Sequence, residues 1–276
     1  MCSSDLISSA EMGSRQATLE KLCAPNVEAP THRARQVGDV FHVACYVAAS
    51  AMLRGCGMPE GCGRMLGPYR CCTVVCGDCL ELMKALPDGC VDAVITDPPY
   101  GIGRDGMKAS TSRHGERKAY EFKGWDSAPP SDAIFLEIFR VSTAQVIWGG
   151  NYFTRNLPAK MGWLVWDKGQ RICSSDAELA FTSFDLALRV FVLNRVALML
   201  DGAEHPTQKP LDLMLWCIKQ VDRAGDAETI LDPFLGSGTT AVAAKKLGRH
   251  FLGFEISEEY CRIARERIAQ IGRAHV

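Results

Sequence analysis

The chain has 276 residues, of which 47% are hydrophobic and 23% are charged, and this composition indicates a globular protein with one large domain or two small ones. Its formal net charge of −1 excludes the attraction of nucleic acid by overall charge, so any DNA contact requires a local basic patch. No apolar run reaches the roughly 20 residues of a membrane span, and the first residues lack a secretory pattern, so we expect a cytoplasmic protein.

Residues 1–64 carry no recognisable motif and no sustained hydrophobic period. We expect them to form an N-terminal extension that is poorly ordered or non-native, with a small helical cap around the apolar run 41–53 as the alternative. The opening string MCSSDL and the closing string QIGRAHV both resemble translated sequencing-adapter DNA, which favours non-native ends. The main folded domain is therefore expected over residues 65–276.

Ten of the 13 cysteines fall within residues 1–90. A disulfide framework is typical of short secreted chains, and a long chain with an odd number of cysteines does not fit that class. Cys76 and Cys79 form a C-x-x-C, with Cys71 and Cys72 nearby, but a zinc site would need a second pair and none follows downstream. We therefore predict no metal site.

From residue 69 onward, short apolar runs alternate with helical patterns, which indicates an α/β fold with a mostly parallel sheet and helices on both faces. The predicted strands are CCTVVCGD, VDAVITD, AQVIWGG, GWLVWDK, the β-rich run ELAFTSFDLALRVFVL, ETILDPF and HFLGFEI. The predicted helices are CLELMKAL, SDAIFLEIFRVS, PLDLMLWCIKQV, TTAVAAKKLG and SEEYCRIARERIAQ. Ligands of such sheets bind beyond the carboxyl ends of the strands, where we expect these residues to converge: Asp78, Asp97, Gly149, Asp232 and Glu255.

The stretch VITDPPYGIG, residues 94–103, ends a predicted strand in an acid, two prolines and a tyrosine. Pro98 and Pro99 fix their own φ angles and donate no backbone hydrogen bond, so the segment is stiff. It presents an acceptor, Asp97, at one end and an aromatic face, Tyr100, at the other. Taken alone, the pattern is equally typical of a strand that stops at a Pro-Pro turn.

A second informative stretch is ILDPFLGSGTTAVAA, in which a strand ends at Asp232 and a helix begins near Thr239. The loop between them contains Gly236, Ser237 and Gly238, where backbone can approach a ligand closely. A Walker A loop is excluded because no Gly-Lys-Ser/Thr follows, and a dinucleotide fingerprint would need a third glycine.

The acids around this loop indicate the chemistry of its ligand. Asp232 would repel a pyrophosphate but would suit a ligand with its own positive group. Glu255 ends the next strand, where a carboxylate can accept both ribose hydroxyls. S-adenosylmethionine, which has a ribose, a cation and a carboxylate, fits this description better than NAD or ATP.

Three motifs together resemble those of the amino-group DNA methyltransferases: Asp97–Tyr100, the loop 232–240 and the string HPTQKP at 205–210. The resemblance covers about residues 69–269, and the motif order is the permuted one of the family's β group. It implies a Rossmann-like methyltransferase fold with a seven-stranded sheet in which one strand is antiparallel. It also implies that the strand before Gly77-Asp78 neighbours the strand of Glu255 in space.

The resemblance implies S-adenosylmethionine as the cofactor and double-stranded DNA as the substrate, and it leaves a homodimer open. By the same resemblance, Glu255 binds the ribose, Asp78 binds the adenine amino group, and Thr207 with Lys209 steadies the carboxylate end of the cofactor. The complete set of cofactor-binding residues that it implies is Asp78, Thr207, Lys209, Asp232, Phe234, Gly236, Ser237, Gly238, Thr239 and Glu255.

The implied catalytic residues are Asp97, Pro98, Pro99 and Tyr100. An exocyclic adenine amine is a poor nucleophile because its lone pair is delocalised into the ring. Two acceptors, the Asp97 carboxylate and the Pro98 carbonyl, favour the pyramidal amine and stabilise the positive charge that develops on it. Tyr100 would stack on a base flipped out of the duplex, and the methyl group would be transferred in line without a covalent enzyme intermediate.

A basic loop at 101–128 is the expected contact for DNA phosphates, because residues 104–123 hold six Lys or Arg against three acids. A solvated surface loop is the alternative. The segment 185–204 is a short candidate for target recognition, so we expect a short or relaxed recognition sequence. The predicted nucleic-acid contacts are Arg104, Lys108, Arg113, Arg117, Lys118 and Phe181, for the last of which core packing is the alternative.

The acid at position 97 favours N6 of adenine as the target in this family, with N4 of cytosine as the alternative. The resemblance also implies DNA methylation of the restriction–modification type. Two readings of other classes stay open. An NAD-dependent dehydrogenase could use the same sheet but would lack the third glycine, and an inactive fragment could bind the cofactor without catalysis.

Overall fold

A computed structural model describes residues 62–103, 110–112, 115–117, 126–169, 175–194 and 208–271, with the backbone alone for 110–112 and 115–117. Residues 1–61, which make up most of the predicted extension, lie outside the described residues. The predicted DNA contacts Arg104, Lys108, Arg113 and Lys118 and the predicted cofactor residue Thr207 also lie outside them, as does the side chain of Arg117.

Eight strands form the central sheet: β3 Thr73–Cys76, β4 Val91–Thr96, β7 Ser142–Trp148, β8 Trp163–Asp167, β9 Ala177–Thr182, β10 Arg189–Val192, β11 Thr229–Asp232 and β12 His250–Glu255. Two small antiparallel hairpins pair β1 Met65–Leu66 with β2 Tyr69–Arg70, and β5 Ser110–Ser112 with β6 Gly115–Arg117. The spatial order in the sheet is β10-β8-β9-β7-β4-β11-β12-β3. Only β9 runs antiparallel to its neighbours in this sheet, so the predicted α/β fold with one antiparallel strand is confirmed.

The predicted number of seven strands is wrong, because the sheet has an eighth strand, β10. The β-rich run that the sequence shows after residue 177 forms two strands, β9 and β10, which lie on opposite sides of β8. Strand β10 pairs in parallel with the outer edge of β8 and satisfies backbone groups that would otherwise be unpaired. It is formed by part of the segment 185–204, which was predicted to recognise the target.

The helices are α1 Cys79–Lys84, α2 Asp132–Val141, α3 Leu211–Ala224, α4 Thr239–Lys246 and α5 Glu258–Gln270, and a 3-10 turn spans Gly150–Tyr152. Helices α3, α4 and α5 pack in one group and α1 with α2 in another. Ala93 and Ile95 of β4 belong to the core shared with the first group, whereas Val94 between them does not, although all three are fully buried. Since side chains alternate along a strand, β4 is covered on both faces. No helix among the described residues is both long and apolar enough to span a membrane.

The winding direction of the sheet reverses between β4 and β11. After β4 the chain continues to its neighbour β7, whereas after β11 it continues to β12 on the other side. Strands β4 and β11 are nevertheless paired directly, through Ile230 with Ala93 and Leu231 with Val94. Such a switch point is where open α/β sheets bind ligands, and it lies directly below Asp97 and Asp232.

Candidate active site

Acids and glycines at the ends of five parallel strands line one edge of the sheet. These strands are β3, β12, β11, β4 and β7, and consecutive members of this order are paired in parallel. The predicted convergence is therefore confirmed for the following residues: Asp78, Glu255, Asp232, Asp97 and Gly149. The two central acids are linked through one residue. Thr96, which precedes Asp97, donates from Oγ1 to Asp232 Oδ1 at 2.7 Å.

Asp97 holds two hydrogen bonds from neighbouring side chains. The hydroxyl of Tyr100 donates to Asp97 Oδ1 at 2.5 Å, and Lys209 Nζ donates to Oδ2 at 2.5 Å. Lys209 Nζ also lies 3.0 Å from Glu178 Oε2, and Lys168 Nζ lies 2.7 Å from Glu178 Oε1. Two acids and two lysines thus alternate in one chain of ion pairs, which we call the acid–lysine chain (Asp97, Lys209, Glu178, Lys168).

The acid–lysine chain is balanced in charge and largely shielded from water, with Lys209 8% and Asp97 20% exposed. Burial alone would lower the pKa of Lys209, but the carboxylates of Asp97 and Glu178 raise it well above its usual value. Burial likewise opposes ionisation of Glu178, but the two lysines lower its pKa to about 2. Burial, and next the charge of Asp97, raise the pKa of Tyr100 well above its usual value, so its hydroxyl remains a donor.

The predicted role of Lys209 at the carboxylate end of the cofactor stays a prediction, which its contacts in this structure do not favour. Its ammonium group is enclosed by Asp97 and Glu178, and it lies within 6 Å of the ring centres of Tyr100 and Trp148. A buried ammonium with two carboxylate partners is not available to a third carboxylate. The geometry instead makes Lys209 a positioning residue for Asp97.

Tyr100 forms an aromatic pair with Tyr152, which the sequence did not single out. The two rings are stacked at 4.7 Å with an interplanar angle of 16°, and Tyr152 is 47% exposed. Gly149, with φ +71°, lets Tyr100 approach, since a Cβ at that position would lie 2.2 Å from Tyr100 Cε1. The site therefore has an aromatic face that is partly open to solvent, beside the carboxylate of Asp97.

Asp126 joins the two ends of the basic segment next to this face. Its Oδ1 accepts from the backbone N–H of Gly101 at 2.7 Å, and its carbonyl accepts from Gly103 at 3.3 Å. Asp126 itself is 2% exposed. The segment between residues 103 and 126 therefore starts and ends at the same place, beside Tyr100.

The backbone of the glycine loop after β11 is hydrogen-bonded to the acids that end β11 and β12. Asp232 Oδ1 accepts from Phe234 N at 3.1 Å, and Glu255 Oε2 accepts from Gly236 N at 2.8 Å. Burial raises the pKa of Asp232 to about 6, against the lowering effect of the hydrogen bonds from Thr240, Thr96 and Phe234. Because Glu255 binds the loop backbone directly, β11 and β12 present their two terminal acids on either side of one loop.

Arg267 of α5 holds the same loop from the other side. Its Nη1 donates to the carbonyl and the hydroxyl of Ser237 at 2.7 and 2.8 Å, and it lies 3.3 Å from Thr239 Oγ1. Ser237 Oγ also donates to Gln208 Oε1 at 2.8 Å. Gly238 packs against this helix, where a Cβ would lie 2.8 Å from the Cβ of Ala264. The loop conformation is thus fixed by α5.

Asp78 stands at the start of α1 as its N-cap. Its Oδ1 accepts from Leu80 N at 2.9 Å and from Glu81 N at 3.1 Å. Strand β3 pairs with β12 with Cys76 opposite Glu255, so Asp78 lies two residues beyond that pair. The predicted neighbourhood of these two strands is confirmed, and Asp78 combines a helix cap with a position at the site.

Phe181 is not available to a nucleic acid. Its side chain is fully buried and packs edge-on against Phe139 and Trp163 at centroid distances of 6.3 and 6.0 Å. The DNA contact predicted for it is therefore wrong, and the alternative of core packing holds. The physical reason is that this part of β9 is covered on both faces, since Ala180, Phe181 and Thr182 are all fully buried.

Four side chains that contact residues of this site were not predicted from the sequence: Lys168, Glu178, Tyr152 and Arg267. Glu178 had a signal, because a charged residue inside the apolar run AELAFT must be either an exposed-face residue or a paired one. Lys168 directly follows WLVWD and is 6% exposed, which is rare for a lysine without partners. Tyr152 and Arg267 carry no comparable signal in the sequence.

Comparisons with known proteins agree with the motifs. Residues 175–266 match the N6_N4_Mtase family, described as DNA methylase. YubD of Escherichia coli K12, named as a methylase, is 28% identical over 216 residues, which cover 72% of this chain and 90% of that protein. The type II methyltransferase M.HinfI of Haemophilus influenzae is 25% identical over 258 residues, covering 72% of this chain and 68% of that protein.

Among solved structures, the complex of M1.HpyAVI with SAM is 22% identical and matches 71% of this chain and 98% of its own, with a TM-score of 0.46. The family segment 175–266 contains Glu178, Lys209, the glycine loop and Glu255. The resemblance that the three motifs indicate is confirmed as a similarity: residues 175–266 match the N6_N4_Mtase DNA methylase family, and 72% of the chain is similar to each of the two methylases named above.

Proposed function

We propose that the chain is a DNA methyltransferase that uses S-adenosylmethionine and methylates the exocyclic N6 amino group of adenine in a flipped-out base. The observation that carries this proposal is the direct link between the two halves of the site. Asp97 and Asp232 end neighbouring strands at the switch point of the sheet, and Thr96 bonds to Asp232. A base held at Asp97 and a cofactor held at the glycine loop would therefore be in contact.

The residues at the glycine loop fit the cofactor. The acids Asp78, Glu255 and Asp232 lie side by side along the strand ends and suit an adenine amino group, ribose hydroxyls and a cationic amino acid part. Gly236 and Gly238 have positive φ, a conformation that glycine adopts readily, so the loop can take this shape. When bound, S-adenosylmethionine supplies the electrophilic methyl group.

The residues around Asp97 fit an amine substrate. Each carboxylate oxygen has two lone pairs, so Asp97 can accept a hydrogen bond from the target amine while it keeps its bonds to Tyr100 and Lys209. Pro98 is buried and offers a carbonyl without a competing N–H, and Pro99 restricts its conformation. Tyr100 and the exposed Tyr152 present ring surface for stacking of the base.

Adenine is the proposed base because, in the family that the motifs resemble, an acid at position 97 is typical of adenine-N6 enzymes, whereas cytosine-N4 enzymes more often carry serine there. The phosphate contacts are proposed to come from the basic segment between residues 103 and 126. Asp126 joins the two ends of this segment beside Tyr100. Because β10 occupies part of the segment 185–204, we propose a short recognition sequence for double-stranded DNA.

The test is incubation of the full chain with labelled S-adenosylmethionine and mixed-sequence double-stranded DNA, followed by digestion to nucleosides. We expect label in N6-methyl-2′-deoxyadenosine. Asp97→Asn keeps the shape but loses the charge, and we expect it to lower the rate by about 10²-fold or more, in the range of one lost electrostatic contact. Asp88→Asn changes an exposed acid outside the site and should leave the rate unchanged.

Label in N4-methylcytosine would overturn the choice of base and keep the enzyme class. Absence of transfer from protein that binds S-adenosylmethionine in a calorimeter would leave the inactive-fragment alternative. Full activity in Asp97→Asn would refute the role of the carboxylate.

A further inference from the structure

Three cysteines and a histidine converge on one point at the start of β12. The Sγ atoms of Cys62, Cys71 and Cys72 and Nδ1 of His250 all lie within 4.8 Å of one another. The distances to His250 Nδ1 are 3.3 Å from Cys62, 3.0 Å from Cys71 and 3.9 Å from Cys72, and the two adjacent cysteines are 3.4 Å apart. We call this group the thiol–imidazole cluster.

These separations are those of a tetrahedral metal site. With metal–sulfur bonds of about 2.3 Å and metal–nitrogen bonds of about 2.0 Å, tetrahedral angles place two sulfurs about 3.8 Å apart and a sulfur about 3.5 Å from the nitrogen. The three sulfur–nitrogen distances scatter around the second value, and the 3.4 Å between the sulfurs of Cys71 and Cys72 is somewhat shorter than the first. A set of three thiolates and one imidazole is a standard ligand set of structural zinc.

The local backbone is shaped to bring the thiols together. Side chains of consecutive residues in extended chain point to opposite sides, yet Cys71 and Cys72 both point to His250. This is possible because Cys72 has φ 60°, the only non-glycine residue with positive φ in the described part of the chain. Such a conformation is unfavourable for a residue with a Cβ and needs compensation from its surroundings.

The hairpin of β1 and β2 supplies the third thiol. The hairpin closes with a hydrogen bond from Cys71 N to Arg64 O at 2.8 Å, which brings the residue two positions earlier, Cys62, back to the cluster. Cys72 N donates to Phe251 O at 2.7 Å and so fixes the end of the hairpin to β12. Cys71 and His250 are 2% and 6% exposed, so these two members of the cluster are buried where the hairpin meets the sheet.

We propose that the thiol–imidazole cluster binds one Zn²⁺ ion and that this ion fastens the N-terminal hairpin to strand β12. All four positions of a tetrahedral ion are filled by protein atoms, so the site is structural rather than catalytic. Binding replaces the three thiol protons, which pass to the solvent, and the resulting centre carries a net charge of −1. The site lies at the amino end of β12, whereas Glu255 of the candidate active site lies at its carboxyl end.

The fourth ligand explains why the sequence analysis predicted no metal. A zinc site was expected to need a second cysteine pair beside the C-x-x-C of Cys76 and Cys79. The cluster uses neither of these two residues, and His250 lies 178 residues beyond Cys72. It also includes Cys62, so the folded domain extends upstream of the boundary predicted at residue 65.

The test is the metal content of the full chain, purified without chelators or a metal-affinity tag and measured by plasma mass spectrometry. We expect about one zinc per chain. Cys62→Ser is expected to lower the zinc content at least tenfold after dialysis, whereas Cys76→Ser, a matched change of an exposed cysteine outside the cluster, should retain it. Equal zinc in both variants would refute the assignment of the ligands.

A spectroscopic measurement on the unmodified chain makes the test independent of how the variants fold. The chain stripped with a chelator and titrated with Co²⁺ should show the thiolate charge-transfer and tetrahedral d–d absorption of a three-sulfur site, saturating at one equivalent and reversed by Zn²⁺. Substoichiometric zinc in the purified chain, together with no such absorption on titration, would overturn the proposal. Recovery of Cys62, Cys71 or Cys72 in a disulfide from freshly purified protein would overturn it as well.

Discussion

At the scale of single residues, the carboxylate of Asp97 depends on a lysine that lies 112 positions away in the sequence. Lys209 bonds to both Asp97 and Glu178, so its removal would leave two buried carboxylates, of which only Glu178 keeps a lysine partner, Lys168. The motif HPTQKP indicated that Lys209 is functional. It could not show which carboxylate the ammonium meets, because that partner is set by the pairing of strands and not by the local sequence.

We predict that Lys209→Met destabilises the protein by about 3–5 kcal/mol, as expected when one partner of a buried ion pair is removed. The double variant Lys209→Met with Glu178→Gln should recover part of this loss, because the remaining acid and lysine, Asp97 and Lys168, then carry no net charge. Denaturant unfolding measures both values. Lys84→Met, which breaks an exposed ion pair with Glu81, serves as the control and should change stability by about 0.5 kcal/mol or less.

The same variants separate stability from positioning. Methylation by the double variant should stay well below that of the native chain, since Asp97 has lost the donor that orients it. An unchanged unfolding free energy in Lys209→Met would contradict the buried ion pair.

At the scale of elements, helix α5 supports the glycine loop through one side chain, Arg267. Arg267 donates to the carbonyl and hydroxyl of Ser237, so the helix holds the loop in the conformation that presents Gly236 and Gly238. The loop was predicted from its glycines. The contribution of α5 was not, because an arginine on an amphipathic helix has the same pattern whether it faces solvent or a neighbouring loop.

We predict that Arg267→Gln weakens the binding of S-adenosylmethionine about 10- to 100-fold, the equivalent of one or two hydrogen bonds to a charged group, with little change in kcat. The reason is that the free loop would have to be ordered at the expense of binding energy. Isothermal calorimetry gives the affinity directly. Arg262→Gln alters an exposed arginine of the same helix and should bind normally, and equal affinity in both variants would refute the support by α5.

The strand pattern shows how far element prediction reaches. Strands β4, β11 and β12 were located from their apolar runs, because a strand covered on both faces is apolar throughout. Strand β10 was missed as a separate strand, since its residues Val190 and Val192 are more than half exposed and its pairing depends on a free edge of β8. Edge pairing is a tertiary event that local composition does not encode.

At the scale of the whole molecule, the candidate site has a cost in stability. Burial raises the pKa of Asp232 to about 6 from the ordinary value of 3.8. The folded chain therefore binds a proton more tightly than the unfolded chain, and the free energy of unfolding falls as the pH rises from 3.8 through about 6. Above that range both states are ionised, and the folded protein retains the full penalty of a buried carboxylate.

We predict that Asp232→Asn raises Tm at pH 7 while it weakens cofactor binding. The gain in stability should be on the order of 1–3 kcal/mol, because the amide carries no charge and its oxygen can still accept from Thr96. The difference between the two proteins should shrink as the pH falls from about 6 toward 4, because the native carboxyl becomes neutral first in the folded state and below about 3.8 in the unfolded state as well. Calorimetric scans of both proteins from pH 4 to pH 7 measure this, and a pH-independent difference would contradict it.

The hydrogen bonds of Asp126 to Gly101 and Gly103 have a consequence for how such a protein diversifies. Because both glycines are bonded to the residue at which the segment ends, the number of residues between Gly103 and Asp126 is independent of the position of Tyr100. Insertions, deletions or a transplanted stretch between these anchors would leave the chemical centre in register. The anchors thus define a stretch of chain that can be exchanged without rebuilding the surroundings of Tyr100.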